Sequence, residues 1–289
     1  MGTGVEGSNC EHSQLAPRRS VPDRRVRKWG TAFASLGAFL LALNLFGFWM
    51  APVGNQPIGL VQVPGYEFRR LTPQQARSAF KDLKIKSSVL SQRDRAARLH
   101  QLISDSFLHT DRFELRVADN WLQWAAGVLY RPAWDPQDGD VLWRRGGGLC
   151  HQAAALYVSK ARELGLQARL VGLRGHVVAE VLTELGWNVV DPDMKVYWDR
   201  PLEDFGSRLS QKEIEAVIAS VGHGPLAARH FAQIYASAED NHRIEFPSAP
   251  RRYAAERIAG WLKWIIPVTL VLVPLNASRK HRRLGDGRR

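Results

Sequence analysis

Two long uncharged runs bracket a central region in which helical and alternating patterns succeed each other. The first run, Thr31 to Ala51, holds 21 residues without a charge. As a helix it is about 31 Å long, enough to cross a bilayer. Trp29 and Trp49 stand near its ends, where interfacial aromatics are favoured. A cleaved signal peptide is the rival reading, and Phe48-Trp49-Met50-Ala51-Pro52 is a poor small-residue cleavage site for it. The second run, Trp264 to Ala277, has 14 uncharged residues with Pro267 and Pro274 inside. Extended back to Ile258 it reaches 20 residues and takes in Lys263, whose ammonium would snorkel to the interface beside Trp261 and Trp264. An amphipathic helix lying in the interface is the rival there.

Between the runs, Thr72-Pro73 reads as an N-cap and first helical residue, opening a helix to about Leu83. Ser91 to Phe107 and Val117 to Tyr130 follow as helices, and Pro132 to Asp140 as a loop leading to a glycine run. After Cys150, the residues Ala153, Tyr157, Ala161 and Leu164 recur at helical spacing, and Gly165 supplies a stop. Gln167 to Gly172 and Val177 to Leu182 are strand-like, and Glu184-Leu185-Gly186-Trp187 turns the chain into a third strand ending at Asp191. Gln211 to Val221 and Leu226 to Ala238 form a helical extension, which either shapes a substrate cleft or braces the domain.

Charge changes the picture by its location. The net charge is +12 over 289 residues. Residues 1 to 30 carry +3 and residues 278 to 289 carry +5, leaving +4 for everything between. The basic excess therefore flanks the hydrophobic runs, which disfavours nucleic acid as a partner and makes the lipid bilayer the expected one. By the positive-inside rule both flanks belong in the cytoplasm. The predicted organisation is a basic cytoplasmic tail (1–28), a transmembrane helix (29–51), an extracytoplasmic domain (52–257), a second transmembrane helix (258–277) and a second basic tail (278–289). The domain would face the outside of a plasma (inner) membrane, the periplasm in a Gram-negative cell. Residues 1 to 23 read as disordered.

The chemistry gathers at three residues. Cys150 follows Gly146-Gly147-Gly148-Leu149 and opens a helix, where unpaired N–H groups and the macrodipole favour a thiolate. His176 starts one strand and Asp191 ends the next. If those strands pair antiparallel the two side chains meet, giving a nucleophile, a base and an orienting carboxylate. The backbone N–H of Cys150 is a natural oxyanion donor. His151 is a rival base, but a neighbour on a helix points about 100° away.

The stretch from Gly148 to Asp193 resembles the transglutaminase-like superfamily, which has a papain-like fold. The motifs are Gly-Leu-Cys (148 to 150), Leu-Gly-Leu-Gln-Ala-Arg-Leu-Val-Gly (164 to 172), Gly-His-Val-Val-Ala-Glu-Val (175 to 181) and Gly-Trp-Asn-Val-Val-Asp-Pro-Asp (186 to 193). The resemblance implies an α+β core in which the helix carrying the cysteine packs on an antiparallel sheet, here flanked by transmembrane helices. It implies Cys150 as nucleophile, His176 as base and Asp191 as orienter. It also implies an oxyanion donor on a side chain upstream, for which Trp121, Trp124 and Trp143 are candidates. The expected activity is thiol-dependent acyl transfer or amide hydrolysis, resolved by an amine or by water, on a peptide, protein or envelope-polymer substrate. The alternative is a non-catalytic domain that binds such a peptide or polymer.

Other chemistries find no support in the sequence. No Cys-x-x-Cys or His-Glu-x-x-His occurs, and the glycine run lacks the Lys-Ser/Thr of a phosphate loop. Neither a cofactor nor a metal is expected. With Cys10 inside and Cys150 outside, no intrachain disulfide is expected either.

Overall fold

The computed structural model describes residues 24–50, 71–110, 114–237 and 241–286. The tail read as disordered lies outside these residues, as does the chain just after the first hydrophobic run. In chain order the elements are α1 (Arg24–Trp49), α2 (Pro73–Ile85), α3 (Gln92–Ser106), β1 (Leu108–His109), α4 (Trp121–Leu129), α5 (Gly139–Arg145), β2 (Gly147–Gly148) and α6 (Cys150–Glu163). Then come β3 (Ala168–Leu173), β4 (His176–Thr183), β5 (Gly186–Asp191), β6 (Val196–Trp198), α7 (Gln211–Ser220), α8 (Pro225–Ala236), β7 (His242–Ile244) and α9 (Pro250–Asp286). Two compact units result, Leu40–Ile266 and Met1–Phe39 with Pro267–Arg289.

Local chemistry sets the helix starts in the larger unit. Thr72 and Gln75 form a reciprocal capping box before α2, with Gln75 N donating to Thr72 Oγ1 at 3.2 Å and Thr72 N to Gln75 Oε1 at 2.9 Å. Ser91 caps α3 by accepting from Asp94 N at 3.0 Å. The helix expected from Val117 begins only at Trp121. Arg116 to Asp119 closes a turn instead, and Asn120 Oδ1 accepts from Gln123 N at 3.2 Å as the true cap. The expected loop gives way at Gly139 to α5, because Asp138 accepts from Asp140 N and Val141 N at 2.9 and 3.2 Å. Gly146 ends α5 with φ 67°, a left-handed conformation that glycine adopts freely.

The sheet has the order β6-β5-β4-β3-β7 and is antiparallel throughout. Side chains alternate between two cores. Ala168, Leu170, Ala179, Val181 and Val190 face α3 and α6, meeting Leu99, Ile103, Leu156 and Tyr157. Val171, Leu173, Val178, Val189 and Trp198 face α7 and α8, meeting Ile214, Ile218, Ala228, Ala232 and Tyr235. Each fully buried Leu or Ile contributes about 1.5–3 kcal/mol. β7 pairs with β3 through three residues, too short a run to stand out in the sequence. In register, His176 lies opposite Leu173 and Ala179 opposite Val190, so the start of β4 and the end of β5 fall at one end of the sheet.

In the smaller unit, α1 and α9 pack where Gly37 omits a side chain. A Cβ there would lie 2.7 Å from the Pro267 carbonyl oxygen and 2.9 Å from Leu270 and Val271. Two stretches are long and apolar enough to cross a membrane, Lys28–Gly47 and Pro250–Ala277. The second continues helically through Pro267 and Pro274.

Candidate active site

Cys150 is the first residue of α6, and two features fix its entry. Strand β2 pairs in parallel with β1, Leu108 opposite Gly147 and His109 opposite Gly148. A Cβ on Gly148 would lie 2.0 Å from Gln152 Oε1. Glycine at that point lets Gln152 fold back to accept the Leu149 N–H at 3.3 Å. The Cys150 N–H lies in the first helical turn, whose N–H groups lack intrahelical partners. The thiol is half-buried. Burial opposes its ionisation, but hydrogen bonds from His151 and His176 outweigh it and bring the thiol from 9.0 to about 6.

His176 meets Asp191 as the antiparallel pairing requires. Its Nε2 lies 2.6 Å from Asp191 Oδ2, and both side chains are buried. Burial disfavours the imidazolium. The Asp191 charge and hydrogen bond, with the thiol, reverse this and raise His176 well above the ordinary imidazole value. Burial likewise opposes ionisation of Asp191, and His176, the Tyr235 hydroxyl and the Met194 N–H bring its pKa below the ordinary carboxylate value. Its Oδ1 accepts from Asp193 N at 2.9 Å and Met194 N at 3.0 Å, and Tyr235 donates to Oδ2.

Support comes from both sides of the sheet. From α3, His100 hydrogen-bonds the Asp191 backbone, and burial pushes this histidine down to about 4, so it is neutral. From α8, Phe231 and Tyr235 set their rings edge-on to His176 at 5.1 and 6.2 Å between centroids. The helical extension thus walls the His176–Asp191 pair, a role the sequence left open.

His151 departs from the angular expectation. Its imidazole hydrogen-bonds the Cys150 thiol, and its Nε2 lies 3.0 Å from Asp135 Oδ1. Side-chain directions on a helix diverge by about 100° per residue, but consecutive α-carbons are only about 3.8 Å apart, and an imidazole arm bridges that gap. Burial lowers its pKa, while Asp135 and the thiol raise it to a net value of about 9. Asp135 also accepts from Gln152 Nε2 at 2.7 Å and faces Arg252 Nη2 at 3.6 Å.

A third imidazole approaches from β1. His109 Nδ1 lies 2.7 and 2.8 Å from the two oxygens of Asp193. Burial opposes its charge, but Asp193 and the nearby Cys150 raise its pKa overall, and it also senses His176. Sequence reasoning missed His109, Asp135 and Tyr235. The only available signal was Asp193, within the last motif. Of the tryptophans considered as oxyanion donors, Trp143 spends its N–H on Ser106 Oγ at 2.9 Å in the core. Trp121 and Trp124 belong to α4, where Trp124 stacks on Trp134. Among the described residues, no group of three or more His, Cys, Asp or Glu side chains converges so as to hold a metal ion.

Chemically, a thiol ionised near neutrality beside cationic imidazoles is a nucleophile. Residues 94–192 match the family model described as the transglutaminase-like superfamily. A comparison with curated proteins gave no match. The mixed α+β core, with its antiparallel five-stranded sheet, agrees with the fold that the motif resemblance implied.

Proposed function

Given the transglutaminase-like domain at residues 94–192, we propose that this chain is a membrane-anchored, thiol-dependent acyl transferase or amide hydrolase. The observation that carries the reading is one thiol at a helix start hydrogen-bonded to His176, whose far nitrogen sits 2.6 Å from the buried Asp191. Cys150 is the nucleophile, His176 the base and Asp191 the orienter. The Cys150 thiolate attacks a carbonyl carbon, and the oxyanion is met by the Cys150 N–H. His176, holding the thiol proton, passes it to the leaving nitrogen as the C–N bond breaks, and a thioester remains. An amine or water then attacks the thioester, giving His176 its proton and releasing the thiolate. We assign the oxyanion's side-chain donor to His109, held by Asp193 beside β2.

Residues 29–51 and 258–277 are the two spans, and residues 52–257 are the extracytoplasmic domain. The basic residues outside each span support this orientation. The substrate is a peptide, protein or envelope polymer on that side.

The test uses the full-length chain with Cys10→Ser, so that Cys150 is the sole thiol. Alkylation is followed across a pH series, and labelled-amine incorporation into glutamine-bearing peptides is then compared with hydrolysis. A midpoint near 6 that rises on His176→Ala supports the reading. A midpoint in the ordinary thiol range, unchanged by His176→Ala, leaves the peptide- or polymer-binding domain in its place.

A further inference from the structure

Helix α4 is an exposed helix without a charge. Trp121 to Tyr130 contains no Asp, Glu, Lys or Arg. A helix facing water normally presents charged residues on its outer side. Here the inner side is spent on the following turn. Gln123 Nε2 donates to the Ala133 carbonyl at 2.9 Å, Trp134 Nε1 donates to the Trp124 carbonyl at 2.8 Å, and Gly127 lies against the Trp134 indole. The outer side carries Val128, Leu129 and Tyr130, which are 62, 93 and 58% exposed, together with Ala125 and Ala126. Arg131, 82% exposed and 3.7 Å from Glu114, follows at once.

The position of this face says what covers it. The residues leading into α4 are held by both long helices. Gly47 of α1 abuts the Ala118 carbonyl, closely enough that any Cβ there would collide. Lys263 of α9 donates to the Asp119 carbonyl at 2.7 Å, and its own carbonyl accepts from Asn44 Nδ2 of α1 at 2.6 Å. Gly47 ends one apolar stretch and Lys263 lies within the other. The start of α4 therefore stands at the level where both stretches leave the hydrocarbon. An uncharged face with Trp, Tyr and Arg at its margin suits that depth.

We infer that the outer face of α4, Ala125 to Tyr130, seats in the lipid headgroup and upper acyl region on the side of the membrane that holds the domain. This rests on the reading of α1 and α9 as membrane-crossing helices. It makes α4 a third point of membrane contact, one that does not span. The turn after it continues to Asp135, the partner of His151.

The experiment places a single bimane-labelled cysteine in the full-length Cys10→Ser, Cys150→Ala chain. The chain is reconstituted in phosphatidylcholine–phosphatidylglycerol vesicles with or without brominated acyl chains. Three sites are labelled, Leu129→Cys on α4, Phe39→Cys on α1 and Leu226→Cys on α8, all exposed. Brominated lipid is expected to cause loss of emission at 129 and at 39 and none at 226. Loss at 39 without loss at 129 overturns the inference and leaves the spanning helices standing. No loss at 39 removes the spanning helices, and this inference falls with them. A blue shift at 129 that follows protein density in the vesicle, and not bromination, gives the face to a second copy of the chain and overturns the inference too.

Discussion

Replacing His151 with alanine is the sharpest test of how the Cys150 thiol is kept ionised. The thiol sits at about 6 against 9.0, a difference worth about 4 kcal/mol. Burial acts in the opposite direction, so the two imidazoles together supply more than this net figure. A hydrogen bond from a charged donor contributes about 1.5–3 kcal/mol, or about 1–2 pH units. His151→Ala should therefore move the thiol midpoint up to about 7–8, with the His176 pair intact. Alkylation rate against pH in the Cys10→Ser background reads this directly. The midpoint, and not the rate at one pH, is the measure, because a more basic thiolate is also more nucleophilic and raises the plateau. Asp135→Asn should give a smaller rise, since it leaves the His151 ring in place and removes only the carboxylate that holds it charged. A midpoint that stays near 6 in His151→Ala, while His176→Ala returns it to the ordinary range, would refute the argument and make His151 a bystander.

Four further outcomes are expected. Asp191→Asn should leave a folded protein whose turnover falls by orders of magnitude through loss of tautomer control, measured with whichever amide substrate the amine-incorporation assay identifies. Because the folded pKa of Asp191 lies below its unfolded value, its stabilising effect is complete above the ordinary carboxylate range. It is lost as pH falls through the folded value, so the wild-type Tm should drop on acidification below pH about 4 and Asp191→Asn should flatten that drop. Gly127→Ala should lower Tm, by about 1–3 kcal/mol of stability, because the new Cβ would stand 2.0 Å from the Trp134 ring, which is pinned by its bond to the Trp124 carbonyl. Topology reporters fused at the N-terminus, after Gly54 and after Arg289 should read inside, outside and inside, and an external C-terminus would show that Ile258 to Ala277 does not cross.

The parts of the molecule that were legible in the sequence are those built from local signals. The glycine run before Cys150, the helical spacing after it and two alternating strands joined by a tight turn were enough to bring His176 and Asp191 together on paper. What stayed hidden depends on contacts between distant segments. Tyr235 lies 44 positions beyond the carboxylate it donates to, and in the sequence it reads as one apolar position among several on α8. His109 becomes part of the site only because β1 lies against β2, a pairing of two residues each. Asp135 sits in a segment read as a connecting loop, and nothing local marks it as the partner of His151. The angular argument about His151 counts helix rotation and not side-chain reach, so it does not anticipate the contact of its imidazole with the thiol.

Helix α9 begins as part of the larger unit. Arg252 faces Asp135, Glu256 accepts from the Gln137 and Asp138 N–H groups at 3.0 and 3.2 Å, and Arg257 reaches Asp138 at 3.2 Å. The same rod continues into the apolar stretch. One helix thus both carries the second apolar stretch and sets Arg252 against Asp135, so a fragment cut free before Arg252 would lose the cation that faces the carboxylate partner of His151.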